Sequence, residues 1–254
     1  MSGPVEHYTF PPLEAATPEG LLAVGGDLSS GRLLSAYRHG IFPWYSAGQP
    51  ILWWSPDPRT VLYPDALKIS RSLKKSLRHR GYRVTSDQHF TGVIQACAKP
   101  RDENEESGTW ITPEMIKAYT TLNESGYAHS LEVWDQMKLV GGLYGVAIGR
   151  VFFGESMFSH STDASKVALT ALVRIISEKK FQLTACQVPS EHLFSLGAKN
   201  IPRDIFSGQL QAALAGESQP DTWNYSFDRL DLLCHVNSLP RTYTNQHSTA
   251  VHTC

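Results

Sequence analysis

Apolar and polar positions along the 254-residue chain fall into two regimes. Up to about Pro64, Gly, Pro and Trp interrupt every apolar run. The pattern there predicts one short helix, from about Gly31 to His39, with Ser29 or Ser30 as cap and Gly40 as stop. The rest of residues 1–64 reads as turns and short extended pieces, a small irregular N-terminal domain. From Ala66 regular periods begin. Ser70–Arg80 and Phe90–Ala98 read as helices, with a short strand at Tyr82–Thr85 between them. Thr112-Pro113-Glu114 supplies a cap and first turn for a helix through Ile116, Tyr119 and Leu122 that ends near Gly126. Residues 129–135, 138–149 and 150–158 then give three strand signals, with Asp135-Gln136 and Gly149-Arg150 at the turns of an antiparallel meander. Asp163 or Thr162 is expected to cap a helix whose one face carries Val167, Ala168, Ala171, Leu172, Ile175 and Ile176. A strand at Gln182–Val188, a short helix at Ser190–Leu196 and a further strand follow. This order predicts an α+β domain with a mixed, mainly antiparallel sheet over residues 65–234, and a flexible tail over 235–254.

Composition narrows the function classes. With 41% hydrophobic and 19% charged residues, the chain can bury a core. The stretch Leu139–Phe153 is apolar-rich but is broken by Gly141, Gly142, Gly145, Gly149 and Arg150, so no membrane span is expected. The N-terminus has neither a basic nor an apolar signal region, which argues against secretion. A net charge of −1 excludes a globally basic nucleic-acid binder but leaves room for a local basic patch. Cys97, Cys186, Cys234 and Cys254 form no Cys-x-x-Cys pair, and the ten histidines form no helical ligand pair. Reduced thiols, a cytoplasmic setting and no metal are therefore expected.

Such a patch lies between Lys68 and Arg83. On a helix Arg71, Lys74, Lys75 and Arg78 share a face, Arg80 and Arg83 follow, and no acid intervenes before Asp87. A solvated helix face usually interleaves Glu with Lys; this one has the footprint of a phosphate-backbone site. The acidic loop RDENEESG reads as solvated. The aromatics Phe42, Trp44, Tyr45, Trp53 and Trp54 either form the core of a small domain or cage a ligand, and Trp110 is equally open. Glu155 follows Gly154 inside an apolar strand, where a buried acid needs either a cross-sheet arginine or a ligand. Gln187 is either satisfied in the core or faces a cleft. Cys186, with no activating neighbour in sequence, reads as a buried structural thiol.

The segments GLLAVGGDLS, GIFPWYS, PILWWSPDPR, GTWIT, GGLYGVAIG, FFGESMFS, DASKVAL and HLFSLGA, in this order, resemble the leucyl/phenylalanyl-tRNA–protein transferases over about residues 10–234. The resemblance implies a small N-terminal domain joined to a GNAT-like acyltransferase domain, in a cytoplasmic monomer without cofactor. It implies an aminoacyltransferase (leucyltransferase) that moves Leu or Phe, and Met less well, from aminoacyl-tRNA to proteins with N-terminal Arg or Lys, marking them for N-degron degradation. Carried over by position, the aminoacyl pocket falls on Leu143, Phe152, Leu169, Leu172 and Ile176, and the adenosine-contacting tryptophans on Trp44 and Trp110. Glu155 and Gln187 fall at the catalytic positions, and Arg71, Lys74, Lys75, Arg78, Arg80 and Arg83 form the tRNA-binding stripe. Two features depart from the pattern: the pocket is more aliphatic, with Leu143, Leu172 and Ile176 where the family often has Met or Phe, and where the family motif reads Asp-Cys-Gln this chain has Ala185-Cys186-Gln187. A base at residue 185 is thereby lost, and the activity is expected to be slowed. Two other classes compete. An acetyl-CoA-dependent acetyltransferase needs a glycine-rich turn before the long helix, where this chain has Phe158–Asp163 without glycine. A non-catalytic tRNA-binding module would keep the stripe and lose the chemistry.

Overall fold

The computed structural model describes residues 8–99, 110–215 and 220–238. The acidic loop and residues 239–254 lie outside the described residues; residues 235–238, expected to begin the tail, instead belong to the last helix. Near the N-terminus, β1 (Leu21–Val24), α1 (Ser30–Arg38), β2 (Phe42–Pro43) and β3 (Leu52–Trp54) form a small unit with strand order β1-β3-β2. Helix α1 starts where Ser29 accepts a hydrogen bond from the Arg32 amide and stops at Gly40, whose φ of +75° only glycine adopts freely. Phe42, Tyr45 and Trp53 are buried in a core continuous with one face of the large sheet.

Next come β4 (Arg59–Leu62), α2 (Arg71–His79), β5 (Tyr82–Ser86), α3 (Phe90–Cys97) and α4 (Pro113–Glu124). The meander follows as β6 (Ala128–Asp135), β7 (Lys138–Ile148) and β8 (Val151–Ser159), and then α5 (Ala164–Glu178), β9 (Leu183–Cys186), α6 (Glu191–Ser195) and β10 (Lys199–Ile201). The chain closes with α7 (Arg203–Leu214), β11 (Ser226–Phe227) and α8 (Arg229–Ser238). Eight strands pair in the order β10-β4-β9-β8-β7-β6-β5-β11. All pairs are antiparallel except β8–β9, which α5 connects as a crossover. The class is α+β with a mixed, mainly antiparallel sheet.

Helices cover both faces of this sheet. On one, α1, α3, α4 and α7 pack over Val61, Tyr144, Val146, Phe153, Leu183 and Ala185. On the other, α2, α5 and α8 pack over Leu62, Val84, Leu131, Leu143 and Phe152. Strand β4 differs from the sequence reading: it precedes the boundary drawn at residue 64, yet belongs to the large sheet, between the edge strand β10 and β9. Helices α7 and α8 also go beyond that reading, although α7 buries Phe206, Leu210 and Ala213 at helical spacing. A further correction concerns α5. Asp163 stands at the cap position but in left-handed backbone, φ +61°, and makes no side-chain cap bond. Its carboxylate accepts from Ser76 Oγ at 2.7 Å and Lys166 Nζ at 2.9 Å, while Ser159 Oγ accepts from the Ser165 amide. An acid held at this helix start disfavours a phosphate there.

Candidate active site

The site begins with an irregularity in β8. Pairing with β7 runs Met157 to Leu143 and Ser156 to Tyr144, then jumps to Gly154 opposite Gly145, so Glu155 is the extra residue of a β-bulge. Strict alternation fails there. Phe152 and Met157 pack on the α5 face, and Phe153 and Phe158 on the opposite face. The bulge aims Glu155 at α1 and α4. Gly145 is needed beside it, because a Cβ there would stand 2.6 Å from ring carbons of Phe152 and 2.2 Å from the Phe153 carbonyl oxygen. The Phe152 ring lies over that bare backbone.

Glu155, 6% exposed, accepts from Tyr37 Oη at 2.7 Å, Tyr119 Oη at 2.9 Å and Gln187 Nε2 at 2.5 Å. The two tyrosine oxygens also lie within hydrogen-bonding distance of one another, but each hydroxyl has a single proton, so when both donate to the carboxylate none is left for this contact. Burial pushes the Glu155 carboxyl up to about 7, against the opposing pull of the three donors and of the Arg59 guanidinium. Arg59 is buried and brought down to about 10 by its burial. It donates to the Gly40 carbonyl at 3.1 Å and lies against the faces of Phe42 and Phe206. The cross-sheet ion pair considered for Glu155 is therefore replaced by three hydrogen bonds and a longer-range attraction. Burial holds Tyr37 and Tyr119 well above the usual phenol range, so both remain donors.

On the α5 side of this network a cavity of about 360 Å³ opens, the size of a small-molecule pocket. Leu143, Phe152, Met157, Leu169 and Leu172 make its apolar wall. Glu155, Gln187 and Cys186 line it as well, and Trp44 and Trp110 stand at its edge with Val188 and His192. The Tyr144 and Thr184 hydroxyls, both buried in residues that line it, have no hydrogen-bond partner among the described residues. Burial pushes the Cys186 thiol up to about 11, too high for a nucleophile at neutral pH.

Eight of the expected site residues thus converge: Trp44, Trp110, Leu143, Phe152, Leu169, Leu172, Glu155 and Gln187. Ile176 does not join them; it is fully buried in the core, one turn beyond Leu172 on α5. Ala185 packs into the opposite core with Phe153, while its neighbours Thr184 and Cys186 line the cavity. The basic stripe is separate from the cavity. Leu73 and Leu77 anchor α2, Arg71, Lys75, Arg78, Arg80 and Arg83 are exposed, and Lys74 is half-buried. Among the described residues no carboxylate stands within ion-pairing distance of these six. Sequence reasoning missed Tyr37, Tyr119 and Arg59. The available signal was a tyrosine on the apolar face of each of two helices, since a buried hydroxyl requires a partner.

Residues 61–211 match the family model described as leucyl/phenylalanyl-tRNA protein transferase, and residues 26–57 match the model of its N-terminal domain. A protein of Azotobacter vinelandii called leucyl/phenylalanyl-tRNA–protein transferase is 60% identical over 218 residues, 85% of this chain and 96% of its own. One of the same name from Nitrosomonas europaea is 56% identical over 220 residues, 86% and 92% of the two chains. Among solved structures, a GCN5-related N-acetyltransferase from Kribbella flavida aligns with 67% of this chain and 60% of its own, at 10% identity and a TM-score of 0.32.

Proposed function

The chain belongs to the leucyl/phenylalanyl-tRNA protein transferase family, and from that premise we propose that it transfers Leu or Phe, and Met less well, from aminoacyl-tRNA to proteins with N-terminal Arg or Lys. One observation carries the reading: an apolar cavity with a buried carboxylate–amide pair, Glu155 and Gln187, in its wall. The reaction needs those two things, a place for an apolar side chain and a fixed polar group for an amine.

In this reading Leu143, Phe152, Leu169 and Leu172 enclose the donor side chain, and the adenosine at the tRNA end stacks at Trp44 and Trp110. The chain's phosphates run along Arg71, Lys74, Lys75, Arg78, Arg80 and Arg83, which position without reading bases. The Gln187 amide donates through Nε2 to Glu155, which leaves its carbonyl oxygen to accept from the incoming α-amine. That amine, with an ordinary pKa of about 7.7 to 8.0, attacks the ester carbonyl. The new amide N–C bond forms, the bond to the ribose 3′-oxygen breaks, and the amine proton ends on that oxygen. Ionised Glu155 favours the step by holding Gln187 in one orientation. Positioning in well-oriented cases contributes about 7–11 kcal/mol and general base help about 10²–10⁴-fold, so the activity survives alanine at residue 185. The cellular reading is a cytoplasmic monomer that marks substrates for N-degron degradation.

The test is transfer of labelled Leu from charged tRNA to a peptide beginning with Arg. Incorporation that depends on the peptide's free α-amine supports the reading. Tight tRNA binding without incorporation would replace it with a non-catalytic tRNA-binding module, and competition by free coenzyme A would point to an acetyl-CoA enzyme.

A further inference from the structure

Behind the cavity wall stands a residue from the far end of the chain. Trp223, 2% exposed, lies beyond the stretch matched by the family model, which ends at residue 211. Its ring stacks on Phe152, with centroids 5.8 Å apart and planes 28° from parallel. On another side it stacks on His129 at 4.1 Å and 5°, and Phe181 meets it edge-on at 6.3 Å. Phe152, fully buried, thus both lines the cavity and packs against the Trp223 indole, which does not line it.

The indole is anchored firmly. Asp87 Oδ2 accepts from the Trp223 backbone amide at 3.1 Å and faces His129 Nδ1 at 2.7 Å, and Asp87 Oδ1 accepts from the Ser130 amide at 2.8 Å. One carboxylate therefore fixes both the tryptophan and the imidazole stacked on it. Flanking contacts close the segment down: Asp221 pairs with Lys179 at 2.5 Å, and the Tyr225 amide donates to Ser86 Oγ at 2.8 Å. None of these groups lines the cavity.

We propose that Trp223 is a positioning residue that sets the depth of the donor pocket, so that the choice between Leu-sized and Phe-sized side chains depends on the C-terminal segment. The inference rests on the reading that this cavity holds the donor side chain. Its physical basis is close packing. Phe152 is held by Gly145 backbone and by the indole, and a core side chain without its backing tips into the space left behind. A deeper pocket gains contacts with a phenyl group that it cannot make with an isobutyl group.

The test compares Trp223→Leu and Asp87→Asn with the unaltered protein. Two ratios are read: Phe over Leu in kcat/KM for transfer from charged tRNA to an Arg-starting peptide, and Phe over Leu in affinity for non-hydrolysable aminoacyl-adenosine amides. Trp223→Leu is expected to raise both ratios about five- to tenfold. Asp87→Asn, which leaves the indole in place with a weaker anchor, should raise them about two- to threefold, and Trp223→Phe should bring the ratios most of the way back. Equal loss for both donors in a cooperatively folded Trp223→Leu protein would overturn the inference, since a merely structural tryptophan lowers both alike. Should Trp223→Leu fail to fold, unchanged ratios in Asp87→Asn would overturn it. Failure of the unaltered protein to transfer either residue, or to bind either amide, would instead overturn the transferase reading.

Discussion

Replacing Glu155 by Gln separates the charge of the buried network from its shape. The carboxyl is pushed by burial from an ordinary 4.5 up to about 7. In the unfolded chain it ionises near its ordinary value, so between these two points the folded protein binds a proton that the unfolded one has lost. Its contribution to stability is fully present below about pH 4.5 and is lost as pH rises through 7. At 1.36 kcal/mol per pKa unit the loss amounts to about 3 kcal/mol. Glutamine has the same length, does not ionise, and can still face Tyr37, Tyr119 and Gln187. Urea unfolding of both proteins from pH 4.5 to 8.5, taken as a difference, cancels every other titrating group. The stability of Glu155→Gln minus that of the unaltered protein should grow by about 3 kcal/mol across this range, whatever its starting sign. A difference that stays flat with pH would refute the reasoning, because it would mean that the carboxyl does not titrate late.

Transfer activity should fall first as the attacking amine protonates, at its ordinary value of about 7.7 to 8.0, and more steeply below about 7 as Glu155 protonates too; Tyr37→Phe or Tyr119→Phe should move that lower midpoint upward by removing a donor that favours the ionised form, and a pH–rate profile checks both. Ala185→Asp would place a carboxylate in the buried face that also holds Arg59, away from the cavity. It should therefore raise the Glu155 midpoint and lower the rate near pH 7, with no gain at pH 8; a hundredfold gain from pH 6.5 to 9 would show direct proton transfer at that position. Triple removal of charge at Arg71, Lys74 and Arg78 should flatten the salt dependence of tRNA binding by roughly one slope unit per lost contact, measured by titration at several salt concentrations. Leu172→Ala should weaken transfer of Leu more than that of Phe, read as the ratio of the two kcat/KM values.

Much of the frame was legible because its residues obey simple periods. The caps at Ser29 and Thr112, the meander and the long apolar face of α5 follow from spacing and capping chemistry alone. Glu155 was legible as an anomaly, an acid in an apolar strand. Its surroundings were not, since the bulge that aims it depends on how β7 and β8 register, which no local period encodes. Tyr37 and Tyr119 look from sequence like ordinary members of apolar helix faces; only tertiary packing brings their hydroxyls to one carboxylate. The misplacement of Ile176 has a similar cause. A face of α5 wide enough to hold it covers core and cavity together, and periodicity cannot tell one from the other.

The position of β4 has a consequence for the order of events at the ribosome. Both of its neighbours in the sheet, β9 and β10, are encoded far downstream, at Leu183–Cys186 and Lys199–Ile201. At about 5–20 residues per second, strand Arg59–Leu62 waits roughly 6–24 s after synthesis before its first partner exists. During that interval two fully apolar residues, Val61 and Leu62, and a row of unpaired backbone groups are open to any passing strand. The nascent chain therefore carries an adhesive segment early and buries it late, so the yield of active protein should respond to translation speed and to holdase chaperones more than its final stability suggests.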